Sequence, residues 1–150
     1  MKKFYVKILV IFLLIILASC TRNINENFKQ ILIDNGKKII KLNVEIADDN
    51  YKIEKGLMFR KNLDENTGML FIFGNESYET FWMKNTLIPL DIIFIGKDLK
   101  IVSIENAVPC NQNPCALYKS SKPVKYVLEV NAGFAMKNNI KPGDKIALNQ

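Results

Sequence analysis

The chain has 150 residues, with 21 Lys or Arg against 15 Asp or Glu and no histidine. The missing histidine excludes Ser-His-Asp and Cys-His catalysis and histidine-bound zinc, and removes the commonest general base. Neither a Gly-x-x-x-x-Gly-Lys nor a Gly-x-Gly-x-x-Gly segment occurs, so no nucleotide cradle is recognisable and no cofactor or metal is expected.

Taken in chain order, the first feature is a leader. Lys2, Lys3 and Lys7 accompany an apolar run from Ile8 to Leu17, followed by Ala18-Ser19-Cys20. A bilayer core needs about 20 apolar residues, so the run is too short to span; it matches the charged and hydrophobic regions of a secretory signal. Leu17-Ala18-Ser19-Cys20 resembles the lipobox of bacterial lipoproteins, which implies removal of residues 1–19 and acylation of Cys20 as the first mature residue. Each buried methylene contributes about 0.8 kcal/mol and two acyl chains anchor stably, so palmitate-like chains on Cys20 would hold the domain on a membrane. Residues 1–19 carry three lysines and no acid, so their loss lowers the net charge from +6 to +3. That modest charge, with no Lys or Arg run, argues against nucleic acid as a partner.

Residues 20–29 read as an acylated cysteine and a polar, asparagine-rich tether, and residues 30–150 as one globular domain. Ile31-Leu32-Ile33 and the alternating Ile40, Leu42, Val44, Ile46 predict two strands joined across Asp34-Asn35-Gly36. Asp48 or Asp49 can cap a helix over Asn50 to about Met58, ended or tightly packed at Gly56. Strands are predicted over Met69 to Phe73, between Gly68 and Gly74, then over Tyr78 to Lys84, Leu90 to Ile95 and Lys100 to Val108. A loop spans Pro109 to about Lys122. A strand over Val124 to Val130 leads into a short helix capped by Asn131, and a last strand covers Lys145 to Leu148. Many short strands with two short helices give an α+β, mostly β class. The expected form is a twisted, partly closed antiparallel or mixed sheet, or a small barrel, which leaves the fewest exposed edges.

With Cys20 acylated, Cys110 and Cys115 remain as a pair, and an oxidising envelope makes a local disulfide the default. Two thiols without histidine make a poor metal cage, and their spacing is not that of Cys-x-x-Cys oxidoreductases. The unusual stretch is Phe81 to Ile95, which holds the only tryptophan, Trp82, and several polar groups in apolar surroundings. Asp91 has apolar neighbours on both faces of its strand, so its carboxylate is expected to be desolvated and in need of partners. The Lys84-Asn85-Thr86 turn is the expected donor, with a catalytic acid as the alternative, and Trp82 reads more readily as core than as a ligand platform.

Gly56-Leu57-Met58-Phe59-Arg60, Gly68-Met69-Leu70-Phe71, the block Phe81 to Ile95, and Tyr126-Val127-Leu128-Glu129 with Ala132-Gly133 together resemble the domain of unknown function 192 family, in order from about residue 37 to 148. The Trp-Met-Lys-Asn-Thr-x-Ile-Pro-Leu-Asp block is the most specific part. The resemblance implies exported, lipid-anchored relatives and a Pro-Cys loop with a second cysteine, and it brings no settled biochemical function.

On these motifs Arg60, Trp82, Lys84, Asn85, Asp91 and Glu129 exceed simple packing and could line a cleft for a small polar ligand. An Arg60–Glu129 salt bridge is the structural alternative. The leading expectation is a non-catalytic binding or accessory module, tethered at the periplasmic or outer face of the cell envelope, whose partner is a small polar ligand or an envelope protein. A second is a carboxylate-dependent envelope glycan hydrolase with Asp91 and Glu129 as acid and base, which needs the two carboxyls about 5 to 9.5 Å apart across a cleft. A third is copper capture by Met58, Met69 and Met83, which requires their thioethers to converge.

Overall fold

The structure, a computed structural model, describes residues 28–148; the leader, Cys20 and residues 21–27 of the expected tether lie outside the described residues. Strand β1 (Phe28–Asp34) pairs antiparallel with β2 (Ile39–Ala47) as the expected hairpin. The turn between them is longer than a two-residue Asn-Gly loop. The Asn35 side-chain oxygen accepts from the backbone N–H of Lys37 and of Lys38, each at 2.9 Å, while Gly36 takes φ 76°, a left-handed geometry that glycine adopts without steric cost.

Helix α1 (Asn50–Lys55) is capped by Asp49, whose carboxylate accepts the Lys52 N–H at 2.8 Å. It stops short of Met58 because Gly56, at φ 47° and ψ −135°, leaves helical space. The crossover through α1 makes β3 (Thr67–Ser77) parallel to β2. β3 runs through both glycines expected to bound it. A Cβ on Gly68 would stand 2.5 Å from the backbone oxygen of Glu129, so glycine here permits the close approach of the neighbouring strand.

Beyond it come β4 (Thr80–Trp82), β5 (Leu90–Ile95), β6 (Ile101–Ala107), β7 (Leu117–Lys119), β8 (Val124–Asn131), α2 (Phe134–Asn138) and β9 (Lys145–Leu148). Seven strands form one sheet in the order β6-β5-β8-β3-β2-β1-β9, antiparallel except for β2–β3. Its two edges meet at one end: Ile101 N–H donates to Asp144 O at 2.9 Å and Ile146 N–H to Leu99 O at 2.8 Å. The result is a mostly β single domain whose sheet curls into a half-barrel, as the shortage of protected edges led us to expect.

β4 and β7 form a separate two-stranded ribbon. The sequence reading takes β7 as loop and gives β4 more than twice its observed length. The curl has apolar packing on both faces, and β5 is buried throughout for that reason. Inside, Ile31, Ile33, Leu42, Val44, Leu70, Ile93, Leu128 and Ile146 pack from strands around the whole curl. Outside, Met69, Phe71, Ile92, Phe94 and Val127 are covered by Leu57, Met83 and the ribbon. Phe81 of β4 fixes the ribbon there, with its ring edge-to-face with Phe71 at 5.1 Å, Phe94 at 6.0 Å and Phe73 at 6.5 Å, contacts worth about 0.5–1.5 kcal/mol each beyond area burial. Cys110 and Cys115 are disulfide-bonded in the segment leading to β7.

Candidate functional site

Asp91 is fully buried on β5. Its Oδ1 accepts from Asn106 Nδ2 at 2.6 Å and from the backbone N–H of Gly133 at 3.0 Å, while Oδ2 accepts from the N–H of Ala135 at 2.9 Å. The expected donors, the Lys84-Asn85-Thr86 turn, do not contribute. Asn131 is not the cap of α2 either: its amide donates to Leu63 O at 2.9 Å and Asp64 O at 3.3 Å. The cap residue of α2 is Gly133, which has no side chain to offer, so the carboxylate of Asp91 satisfies the free amides from the adjacent strand. Asp91 therefore holds architecture together and faces no cleft shared with Trp82.

Arg60 is bound by Glu45 of β2, a residue that sequence reasoning passed over, in a two-pronged ion pair with N–O distances of 2.5 and 2.7 Å. This replaces the expected bridge to Glu129. Glu45 and Ala47 occupy the outer face of β2 where α1 and the following turn cover it, and Arg60 reaches the nearer carboxylate. The pairing pushes the Arg60 guanidinium above its ordinary range. A cavity of about 450 Å³ lies between this pair, Lys29, Lys52 and Met69.

Glu129 has no such partner. It is 5% exposed, and its Oε2 is buried without a hydrogen bond. Removal from water raises its carboxyl to about 8, against which Arg60 exerts only a smaller lowering pull. The group sits at the floor of a cavity of about 230 Å³ between the end of α1 and β4, lined by Glu54, Lys55, Gly56, Met58, Phe73, Glu79, Phe81, Trp82 and Thr86. Gly56 keeps the floor open, since a Cβ there would stand 3.7 Å from Glu129 Oε2 and 3.3 Å from the Phe71 ring. Glu129 was singled out by the family-like Tyr126-Val127-Leu128-Glu129 motif; the lining residues from α1 and β4 come together only through tertiary packing.

Trp82 is 46% exposed, not core, and forms one wall. Lys84 Nζ lies 5.1 Å from the Trp82 ring centroid. A shallower depression of about 520 Å³ adjoins the cavity, bounded by Tyr51, Phe59, Trp82, Lys84 and Asn85. Asn85 shapes it by its backbone: at φ 59° its carbonyl accepts the Phe59 N–H at 2.8 Å, which docks the two turns against each other. Phe59 itself is held at φ 65°, a strained conformation for an aromatic residue.

Of the six expected ligand residues, the fold brings Trp82 and Glu129 into one cavity and Lys84 and Asn85 beside it, and sets Arg60 and Asp91 elsewhere. Across the β5–β8 ladder Asp91 is opposite Val130 and Ile92 opposite Glu129. Partners directly opposite share a face, so the two carboxyls point to opposite sides of the sheet and cannot flank one glycosidic bond. The three methionines line three different cavities: Met58 beside Glu129, Met69 beside Arg60, and Met83 beside the cystine. Their thioethers do not gather at one cavity, which leaves packing as their evident role.

A curled mostly β domain with an aromatic-walled, carboxyl-floored cleft is the class that fold and site define. The chain belongs to the domain of unknown function 192 family, described as an uncharacterized ACR, whose sequence profile matches residues 31–148. Among solved structures it resembles a proposed transcription regulator from Sinorhizobium meliloti 1021, with 39% identity and a TM-score of 0.75 over 81% of this chain and 93% of that one. It also resembles a protein of unknown function from Novosphingobium aromaticivorans DSM 12444, with 35% identity and a TM-score of 0.76 over 84% and 89%. Comparison with the curated proteins gives no match.

Proposed function

We propose that the protein is an exported binding module of the bacterial cell envelope, lipid-anchored through Cys20, whose ligand enters the cleft over Glu129 beside Trp82. The observation that carries this reading is Glu129, which lines the floor of an open cavity while its Oε2 is buried without a hydrogen bond. Burying an ionised carboxyl without a partner is costly, and Glu129 meets that cost by holding its proton until about pH 8, so its ionised form lacks a partner within the domain. A ligand that engages the group would supply one. The exposed ring of Trp82 supplies an apolar wall for the same ligand. The anchor rests on the leader pattern and on the lipobox-like Leu17-Ala18-Ser19-Cys20. The role proposed for the Sinorhizobium meliloti protein is not carried over, because a mature charge of +3 offers little attraction for nucleic acid.

A thermal-shift screen of the full chain in detergent micelles, wild type against Glu129→Gln, tests the site. A compound that binds the native state raises the melting temperature. Compounds that stabilise the wild type and not the variant support the cleft; compounds that act equally on both place binding elsewhere.

A further inference from the structure

Resting on the reading of the cleft as the binding site, the geometry points to a small ligand bearing an ammonium group, seated with its cation against the Glu129 carboxyl and its alkyl part against Trp82 and Phe81. Among the described residues, every cation near the floor is already engaged. Arg60 is held by both oxygens of Glu45, Lys55 Nζ lies over the Tyr51 ring at 5.5 Å, and Lys84 Nζ lies over the Trp82 ring. None of them reaches Glu129 Oε2.

The surrounding charge favours the same sign of guest. Glu54 and Lys55 of α1, Glu79 ahead of β4 and Glu129 of β8 line the cavity, so the carboxylates of Glu54 and Glu79, joined by Glu129 when it ionises, outnumber one ammonium whose Nζ lies over the Tyr51 ring. Aromatic faces attract cations through the negative potential above the ring, and Lys84 already uses Trp82 in that way. An anion would meet the carboxylates of Glu54 and Glu79 and, once ionised, that of Glu129; the neutral donors in the lining, Thr80, Trp82 and Thr86, carry no charge to offset them. The volume of about 230 Å³ is below the roughly 300–1,000 Å³ of sites for drug-sized molecules, which suits one short amine and excludes a glycan chain from the floor.

Protonation adds a signature. A cation pairs with the ionised carboxyl, whose ionisation desolvation holds back until about pH 8, so binding releases a proton at neutral pH and strengthens as pH rises toward that value. Arg60, Glu54, Lys55 and Glu79 are the charged groups around it.

The test is titration of the full chain in detergent micelles with butylammonium, butanol and butyrate, read by the fluorescence of Trp82, the only tryptophan. The proposal expects saturable binding of butylammonium alone. It expects affinity to rise from pH 6 to 8, a loss of roughly tenfold or more in Glu129→Gln, and a loss of roughly threefold in Glu54→Gln, where the carboxyl is more exposed. No saturable response to butylammonium overturns the ammonium assignment. Glu129-dependent binding of butanol or butyrate as tight as that of the amine overturns it too, while leaving the cleft as the site. Butylammonium binding unchanged in both variants overturns the cleft as well.

Discussion

Asp91 and Glu129 sit one residue out of step across the β5–β8 ladder, and that offset sends two buried carboxyls to opposite faces with opposite fates. Asp91 receives three donors, two of them otherwise unsatisfied amides at the start of α2. Replacing it by alanine strands those amides, so Asp91→Ala is expected to cost about 3 kcal/mol in denaturant unfolding, while Asp91→Asn, which keeps one acceptor, costs about half as much. Glu129 behaves inversely. Its folded-state value near 8 lies above the ordinary 4.5, so between those values the unfolded chain has lost a proton that the folded chain still holds. Stability therefore falls as pH rises through that window, by about 5 kcal/mol in total, and the slope ends above it. Glu129→Gln removes this contribution. Chemical denaturation from about pH 4 to 9 should show the variant gaining on the wild type across the window, and parallel curves would contradict the assignment.

The ladder depends on elements meeting closely, and Gly68 is where β3 and β8 come nearest. Gly68→Ala drives a Cβ to within 2.5 Å of the Glu129 backbone oxygen, and the expected outcome is a loss of about 3 kcal/mol of unfolding free energy, read as a lower urea midpoint, with the fold otherwise kept. Reduction of Cys110–Cys115 acts more locally. The short loop it closes is worth about 2 kcal/mol of unfolded-chain entropy, and the change should register in β7 and its partner Trp82 before it registers in β1 or β9, as amide exchange would show.

What could be read at this scale followed sequence locality. The β1–β2 hairpin, a cap at Asp48 or Asp49, β5 and β9 are written in short patterns; Asp49 proves to be the cap and β5 and β9 stand where expected, while β1 starts at Phe28 and takes the last two residues of the expected tether into the sheet. β4 and β7 are three residues each and find each other across the cystine segment, so no local alternation announces them. Burial of Asp91 was legible from its apolar neighbours, but its amide partners lie 42 and 44 residues away. Glu45 was missed for a related reason: an alternating strand makes an outward carboxylate look solvated, and only the turn after α1 brings Arg60 over it.

For the molecule as a whole, the half-barrel is the platform and the site is built on its outer face. The inner core closes without any cleft residue, while α1 and the β4–β7 ribbon, clamped by Phe81, build the cavity on the outer face. Variants at Trp82 or Lys84 should change the unfolding free energy by no more than about 0.5 kcal/mol, the range of surface changes, while altering binding. If residues 1–19 are a lipoprotein leader, Cys20→Ser abolishes acylation, and the chain moves from the membrane to the soluble fraction of fractionated cells; an unchanged distribution argues against the anchor. The account as a whole turns on one carboxyl that the fold buries and leaves for a guest. Carbon-13 NMR of the Glu129 side chain through a pH titration, without and with butylammonium, measures that directly. The account predicts a midpoint near 8 that falls when the amine is added; a midpoint near 4.5 that the amine does not move would contradict it.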